Sequence, residues 1–350
     1  MAGLPTAILV AVFAAGAAAT WIAGVFLSRA TDALDTRLGL GEALGGMILL
    51  SIAGSLPEVA ITVSAALNKN LDMAAGNLIG GIAVQTVVLV IADFYVRGDR
   101  PLSYLVGRLI PVLEALLVVL LTSVVMMGAL LPKSIAIGGV SPASIFIVAL
   151  WVAGIALINR VRKGERWQAV APGSAPGRRH RREKHPVAPK PYEGKPTALV
   201  AAVFGLASLA TLVAGFALQV SGSAMADRFG MSGIVFGATI LALVSALPEI
   251  STGLAAIELG DHQLVMGDIF GGNAFQVCLF LVADLLAGTP TLPAAGAQNG
   301  WLAAGGIVLT GIYAGAIIFR PQRRYLRLGL DSILVLLLYV IIVVGVTQIR

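Results

Sequence analysis

Two carboxylates stand out in a chain otherwise hostile to charge: Glu58 within Leu56-Pro57-Glu58 and Glu249 within Leu247-Pro248-Glu249, each in an apolar run and 191 residues apart. An acid placed in hydrocarbon is costly and marks a functional group, and its repetition on one framework marks it twice. Two such acids match one divalent ion, two monovalent ions or two protons. Pro57 and Pro248 cannot donate a backbone hydrogen bond, so the carbonyls of Ala53 and Val244 lose their helical partners and can face a cation. A hard cation such as Ca²⁺ takes about six to eight oxygens. The remaining ones are expected from Ser55, Ser245, Asn77, Asp268, Gln85, Gln276 or water.

The elements that position these groups are membrane helices. The chain is 58% hydrophobic and 12% charged, with a mean hydropathy of +0.92, and its apolar runs are long enough to cross about 30 Å of hydrocarbon. Ten spans are expected, near residues 5–27, 43–67, 71–96, 103–131, 142–159, 197–220, 232–257, 263–287, 299–319 and 329–348. The first has no basic residue before it and is too long for a signal-peptide core, so it is expected to be retained. Cys278, the one cysteine, lies in a span and excludes an intrachain disulfide.

Residues 160–196 interrupt this pattern. Arg160 to Lys195 holds eleven Lys/Arg and three Glu with scattered Pro and Gly, the composition of a linker. With ten spans, 19 basic residues collect on the linker side and four on the other. The positive-inside rule then puts the linker in the cytoplasm and both termini outside it, in a multi-pass cell-membrane protein. The positive charge reads as orientation plus solubility, with contact to anionic lipid head groups as an added role, and not as a nucleic-acid partner. The expected domains are a five-helix repeat at 1–159, the linker at 160–196 and a second five-helix repeat at 197–350. An odd number of spans per half makes the repeats inverted.

Depth follows from the same reading. From a turn at Lys69, Glu58 lies eleven residues back and Gly80 eleven on; from a turn at Gly260 the same count reaches Glu249 and Gly271. At 1.5 Å per residue each sits about 16 Å deep, near the bilayer centre. The repeat also keeps its register beyond the acids: Gly76, Gly80, Gly81, Gln85 and Asp93 recur as Gly267, Gly271, Gly272, Gln276 and Asp284.

At these residues the chain resembles the calcium/cation antiporter superfamily, which contains the sodium/calcium and proton/calcium exchangers. The resemblance rests on GSLPEVAITVSAAL followed by GNLIGGIAVQ, and on SALPEISTGLAAI followed by GDIFGGNAFQ. It implies an all-α fold of ten transmembrane helices in two inverted repeats and alternating-access exchange of Ca²⁺ or a related cation against Na⁺ or H⁺. It also implies that Glu58 and Glu249 are the essential central acids. The chain departs from the sodium-coupled pattern of Thr-Ser before the motif and Gly-Ser-Asn after it. Here stand Gly54-Ser55, Ser245-Ala246, Gly80-Gly81-Ile82 and Gly271-Gly272-Asn273. Gln85 and Gln276 occupy positions where sodium exchangers carry Asn or Asp, and leave Na⁺ and H⁺ as equal expectations.

The rival classes are a passive cation channel and an intramembrane enzyme. An enzyme is not expected, because His-Glu-x-x-His, Gly-x-Ser-x-Gly and paired catalytic Asp motifs are absent from the sequence. No cofactor and no obligatory protein partner are expected; the partners are inorganic cations and the lipid bilayer. Glu114, inside span four without a counterpart in span nine, is expected to pair with Arg108 or to face the pathway. Asp93 and Asp284, near span ends, are expected to be solvated or to cap.

Overall fold

The structure is a computed structural model and describes residues 4–38, 51–163, 192–258, 260–292 and 296–349. It is helical almost throughout. Among the described residues, eight helices are long and apolar enough to cross a membrane, or nine if the bent pair Gly233–Ser245 and Leu247–Glu258 is one span. In chain order the helices are α1 (Thr6–Leu38), α2 (Leu56–Leu67), α3 (Leu71–Tyr95), α4 (Leu102–Val106), α5 (Ile110–Ala129) and α6 (Pro142–Lys163). After the linker come α7 (Thr197–Phe229), α8 (Gly233–Phe236), α9 (Ala242–Ser245), α10 (Leu247–Glu258), α11 (His262–Gln276), α12 (Leu279–Ala287), α13 (Gly296–Phe319) and α14 (Leu330–Gln348). The expected span 43–67 is described only from residue 51, with residues 51–54 helical. Linker residues 164–191 lie outside the described residues.

Several expected boundaries shift for physical reasons. Helices α1 and α7 run to Leu38 and Phe229 rather than 27 and 220, because each packs along the other for its whole length. Span four is not continuous over 103–131. It breaks after α4 at Gly107, in the left-handed region at φ 57°, and restarts with Pro111 in the first turn of α5. Arg108 therefore lies in a turn and not in a span. A short hairpin of β1 (Arg324–Tyr325) and β2 (Leu328–Gly329), not foreseen, docks on the end of α3: Arg324 donates to the carbonyls of Asp93 at 2.6 Å and Val96 at 3.0 Å.

The two Pro-Glu helices have the same length and the same entry. Each is twelve residues long, and the chain bends into it at Ser55 (φ −80°, ψ 10°) and Ala246 (φ −81°, ψ 3°), the residues 191 apart that stand two before each proline. The second bend is 41° and is preceded by a π-turn over Gly237–Leu241. Both helices then end in a turn of positive φ, at Lys69 (56°) and Gly260 (73°), as the depth count requires.

Bracing between the chain's halves also recurs at this interval. Asp93 at the end of α3 accepts from the Leu102 and Gly329 N–H groups and the Ser332 hydroxyl, each at 2.7 Å. Asp284 in α12 accepts from Thr291 N–H (2.6 Å), Ser141 N–H (3.0 Å) and the Ser144 hydroxyl (2.7 Å). Each carboxylate thus satisfies orphan donors at the start of the last helix of the opposite half, α14 or α6. The capping expectation holds, with both acids fully buried. A second pair ties α1 to α7. Arg37 donates to Tyr192 O (2.8 Å) and Thr197 Oγ1 (3.3 Å), while Arg228 donates to Thr6 Oγ1 (2.8 Å) and the Leu4 carbonyl.

Replacing Asp93 or Asp284 by alanine strands three buried donors and is expected to cost about 3 kcal/mol. The check is the thermal unfolding midpoint in detergent, which should fall for both variants and stay put for Asp99→Ala, whose side chain is exposed.

Candidate cation site

The centre is where α2, α3, α10 and α11 meet. Glu58 is fully buried, and Gln85 Nε2 lies 3.4 Å from its Oε1, while its Oε2 has no hydrogen-bond partner. Glu249 is 5% exposed and its Oε2 is likewise unpartnered. Each acid lies beside a motif residue of the other half. Ser245 stands beside the Glu58 carboxylate. Its counterpart 191 residues earlier is Gly54, whose missing side chain would start 3.7 Å from Glu249 Oε1. A carboxyl pair this dry needs positive charge next to it, as cations or as protons.

The two glutamines bolt the halves together. Gln85 Nε2 donates to Gln276 Oε1 at 3.0 Å, and Gln276 Nε2 donates to the Leu78 carbonyl (2.7 Å) and the Asn77 carbonyl (3.2 Å). This crossing needs glycine at Gly81, where a Cβ would lie 2.2 Å from Gln276 Nε2; one on Gly272 would meet Gln85 Oε1 at an ordinary 3.5 Å. With Gln276 fully engaged, the unpartnered amide oxygen is that of Gln85.

Helices α1 and α7 close over the motif prolines. A Cβ on Gly24 would sit 2.6 Å from Pro248 Cβ; on Gly215, 191 residues later, it would sit 2.6 Å from Ala60 Cβ and 3.0 Å from the Pro57 carbonyl. Sequence reasoning missed this pair. The signal was present, since α1 and α7 match at the same interval through Thr6/Thr197, Phe13/Phe204, Thr20/Thr211, Gly24/Gly215, Leu27/Leu218 and Arg37/Arg228.

Glu249 borders a small cavity. A cavity of about 10 Å³ touches Glu249 and is lined by Leu27, Ser28, Ala53, Thr211, Thr252 and Asp268 among others, residues on the linker side of the acid pair. On the opposite side Phe13 and Phe236 meet edge to face at 5.9 Å among Leu9, Ile61, Met73 and Leu218. There Ser64 donates to Gln219 Oε1 (2.7 Å) and Asn70 to Ser223 Oγ (2.8 Å). Aromatic and hydrogen-bonded side chains thus pack away from the linker, and the cavity beside Glu249 lies toward it.

The expected ligands divide accordingly. Glu58, Glu249, Ser245, Gln85 and Gln276 converge, and Ser55 lies against Gly272, its hydroxyl donating to Ser51 O at 2.8 Å. Asp268 turns into the Glu249 cavity and accepts from Thr252 Oγ1 at 2.8 Å, so the third acid points inward; Thr252 was not foreseen. Asn77 is fully buried with neither side-chain atom hydrogen-bonded. Ala53 lines the cavity, whereas the half-buried Val244 side chain packs toward the aromatic seal. Glu114 faces Arg162 of α6 at 3.7 Å rather than Arg108.

Fold and site together define a polytopic helical membrane protein with a buried acidic centre. The chain belongs to the sodium/calcium exchanger protein family, whose model matches residues 8–168 and 199–348. It is a cation antiporter of that family. Among characterised sequences it is 26% identical over 253 residues to the inner membrane protein YrbG of Escherichia coli (strain K12), covering 72% of this chain and 71% of that one. It is 25% identical over 278 residues to the putative antiporter CaxA of Alkalimonas amylolytica, covering 79% and 80%. It shares its fold with the crystal structure of the H⁺/Ca²⁺ exchanger CAX, at a TM-score of 0.64 and 14% identity over 97% of this chain and 88% of that one.

Gly81→Ala is expected to push Gln276 out of its three-bond seat and lower transport at least about tenfold through misplacement of the centre. Gly311→Ala, where a Cβ meets open space, should transport as the parent does; cation uptake into proteoliposomes reads both.

Proposed function

We propose that the protein is a secondary active antiporter exchanging Ca²⁺ or a related cation for H⁺ by alternating access at Glu58 and Glu249. The observation that carries this reading is the pair of buried carboxylates, each beside a motif residue of the other half and each with an unpartnered oxygen. The substrate cation takes the pair from one side. The helices rearrange, and protons arriving on the same oxygens release the cation on the other side. Coupling follows because moving the pair with no positive charge on it is the costly event.

The counter-ion assignment rests on an oxygen inventory. Sodium ions held beside the substrate site need their own oxygens, yet glycine stands at Gly54, Gly81 and Gly272. One amide oxygen accepts within the glutamine lock. Protons need no oxygens beyond the carboxylates themselves. The antiporter reading is favoured over a channel by the packed Phe13–Phe236 seal on one side of the centre.

The wider architecture belongs to the same proposal: ten helices in two inverted repeats, 1–159 and 197–350, joined by a cytoplasmic linker at 160–196 with both termini outside. Its support is that the Gly24/Gly215 contacts, the Ser55/Ala246 bends and the Arg37/Arg228 clasp recur with residue n replaced by n+191, that the Asp93 and Asp284 braces recur with donors 188 or 189 apart, and that basic residues are distributed 19 to 4.

In proteoliposomes, Ca²⁺ uptake is expected to require an outward proton gradient and to vanish in Glu58→Gln and Glu249→Gln. Uptake driven by a Na⁺ gradient at constant pH would replace H⁺ by Na⁺ in this reading, and uptake indifferent to both gradients would replace the antiporter by a channel.

A further inference from the structure

A second buried carboxylate lies outside the central pair. Glu114 is 3% exposed, and neither of its oxygens has a hydrogen-bond partner. It opens into a cavity of about 30 Å³ together with Trp151, Asn159, Arg162, Ser51 and Gly271, room for roughly two water molecules. The Trp151 Nε1 and Asn159 Oδ1 atoms are unpartnered as well. Four orphaned polar atoms around one small space is the pattern of a hydrated cavity.

Its place in the fold gives the cavity direction. Glu114 is one turn into α5 and Arg162 is in the last turn of α6, both at the linker face. The inner wall, Ser51 and Gly271, adjoins the centre. The Ser51 carbonyl accepts from the Ser55 hydroxyl, and Gly271 precedes Gly272, over which Gln85 lies on its way to Glu58. No twin exists in the other half. Offsets of 188 to 191 bring the counterpart of Glu114 to Leu302, Ala303, Ala304 or Gly305, and a Cβ on Gly305 would already meet Ile342 at 2.6 Å.

We propose that Glu114 and its chamber are a one-sided proton station, exchanging protons between linker-side water and the central acids. In the inward step, a hydronium ion at the linker face gives its proton to Glu114. Glu114 passes it to a cavity water as that water's proton goes on to the Glu58 carboxylate, leaving Glu114 ionised and Glu58 neutral; no bond other than O–H changes. A metal ion does not fit this space. One carboxylate and about two waters fall short of the six to eight oxygens of Ca²⁺, and the Arg162 guanidinium at 3.7 Å opposes any cation there. The groups facing Glu114 leave this role to it. From α6 it meets Arg162; α11 carries His262 at its start and Asp268, which Thr252 holds in the other cavity; α13 carries Tyr313, bonded to Ser332.

This inference rests on the H⁺-coupled reading, and the test separates the two. In oriented proteoliposomes, Ca²⁺ uptake driven by a pH gradient is compared with exchange of Ca²⁺ for isotopic Ca²⁺ at equal pH, which needs no proton transfer. Glu114→Gln is expected to lower the pH-driven flux at least about tenfold, to flatten its dependence on linker-side pH, and to leave Ca²⁺ self-exchange within about twofold. Glu114→Asp, which keeps a proton-binding group, should restore most of the driven flux. The proposal is overturned by an unchanged driven flux in Glu114→Gln, by loss of both fluxes together, or by an Asp variant as impaired as the Gln variant. Parent protein driven by Na⁺ alone overturns the H⁺ reading itself, whatever Glu114 does.

Discussion

Two carboxylates in hydrocarbon impose the condition that the rest of the fold meets. Water would stabilise each charge; a helix bundle offers nothing comparable except dipoles, amides and bound cations. The chain therefore brings its donors to the acids by breaking helices where it can least hide a break, at Ser55 and Ala246. Unwound backbone at membrane depth is tolerated because it lines the centre and not the lipid. The glutamine lock shares this logic, since it satisfies buried amides by joining the two halves directly over the acids.

The braces tie the helices into two groups. Helices α1 and α7 are clasped to each other at both ends by Arg37 and Arg228, so they form one slab. That slab rides on the prolines of α2 and α10 through Gly24 and Gly215, a contact with almost no side chain to interlock. By contrast the Asp93 and Asp284 caps fasten α3 to α14 and α12 to α6, building the remaining helices into a framework. The contact with the least side-chain interlock therefore lies next to the acids.

Much of this was legible in the residues. The turn positions at Lys69 and Gly260 and the convergence of the motif helices follow from counting along helices of fixed rise, a geometry that tertiary packing does not alter. The helix ends at Leu38 and Phe229 were not legible, because polar residues such as Ser28 and Arg29 mark where a bilayer ends and not where a helix stops finding a partner. The break at Gly107 was hidden by the apolar run around it. Asp93 and Asp284 could be placed near helix ends, but their donors lie up to 239 residues away, beyond any local pattern. Glu114 was visible as an acid without a twin; its partner required the packing of α6.

The departures from perfect duplication carry a physical consequence of their own. An antiporter made of two identical halves that trade conformations would have equal energies facing either side, since each state is the other with the halves exchanged. This chain breaks that equality at the centre. Gly54-Ser55 is matched by Ser245-Ala246, which shifts the hydroxyl by one position, and Asn77 is matched by Asp268, so the second half contributes an extra acid. The extra acid lies in the linker-side cavity with Glu249, and a cation held there sees more negative charge than one approaching from the sealed side. A difference of about 1.4 kcal/mol between the two states changes their ratio tenfold. Single substitutions at symmetry-related positions are therefore enough to make one face of an otherwise two-faced machine the preferred one.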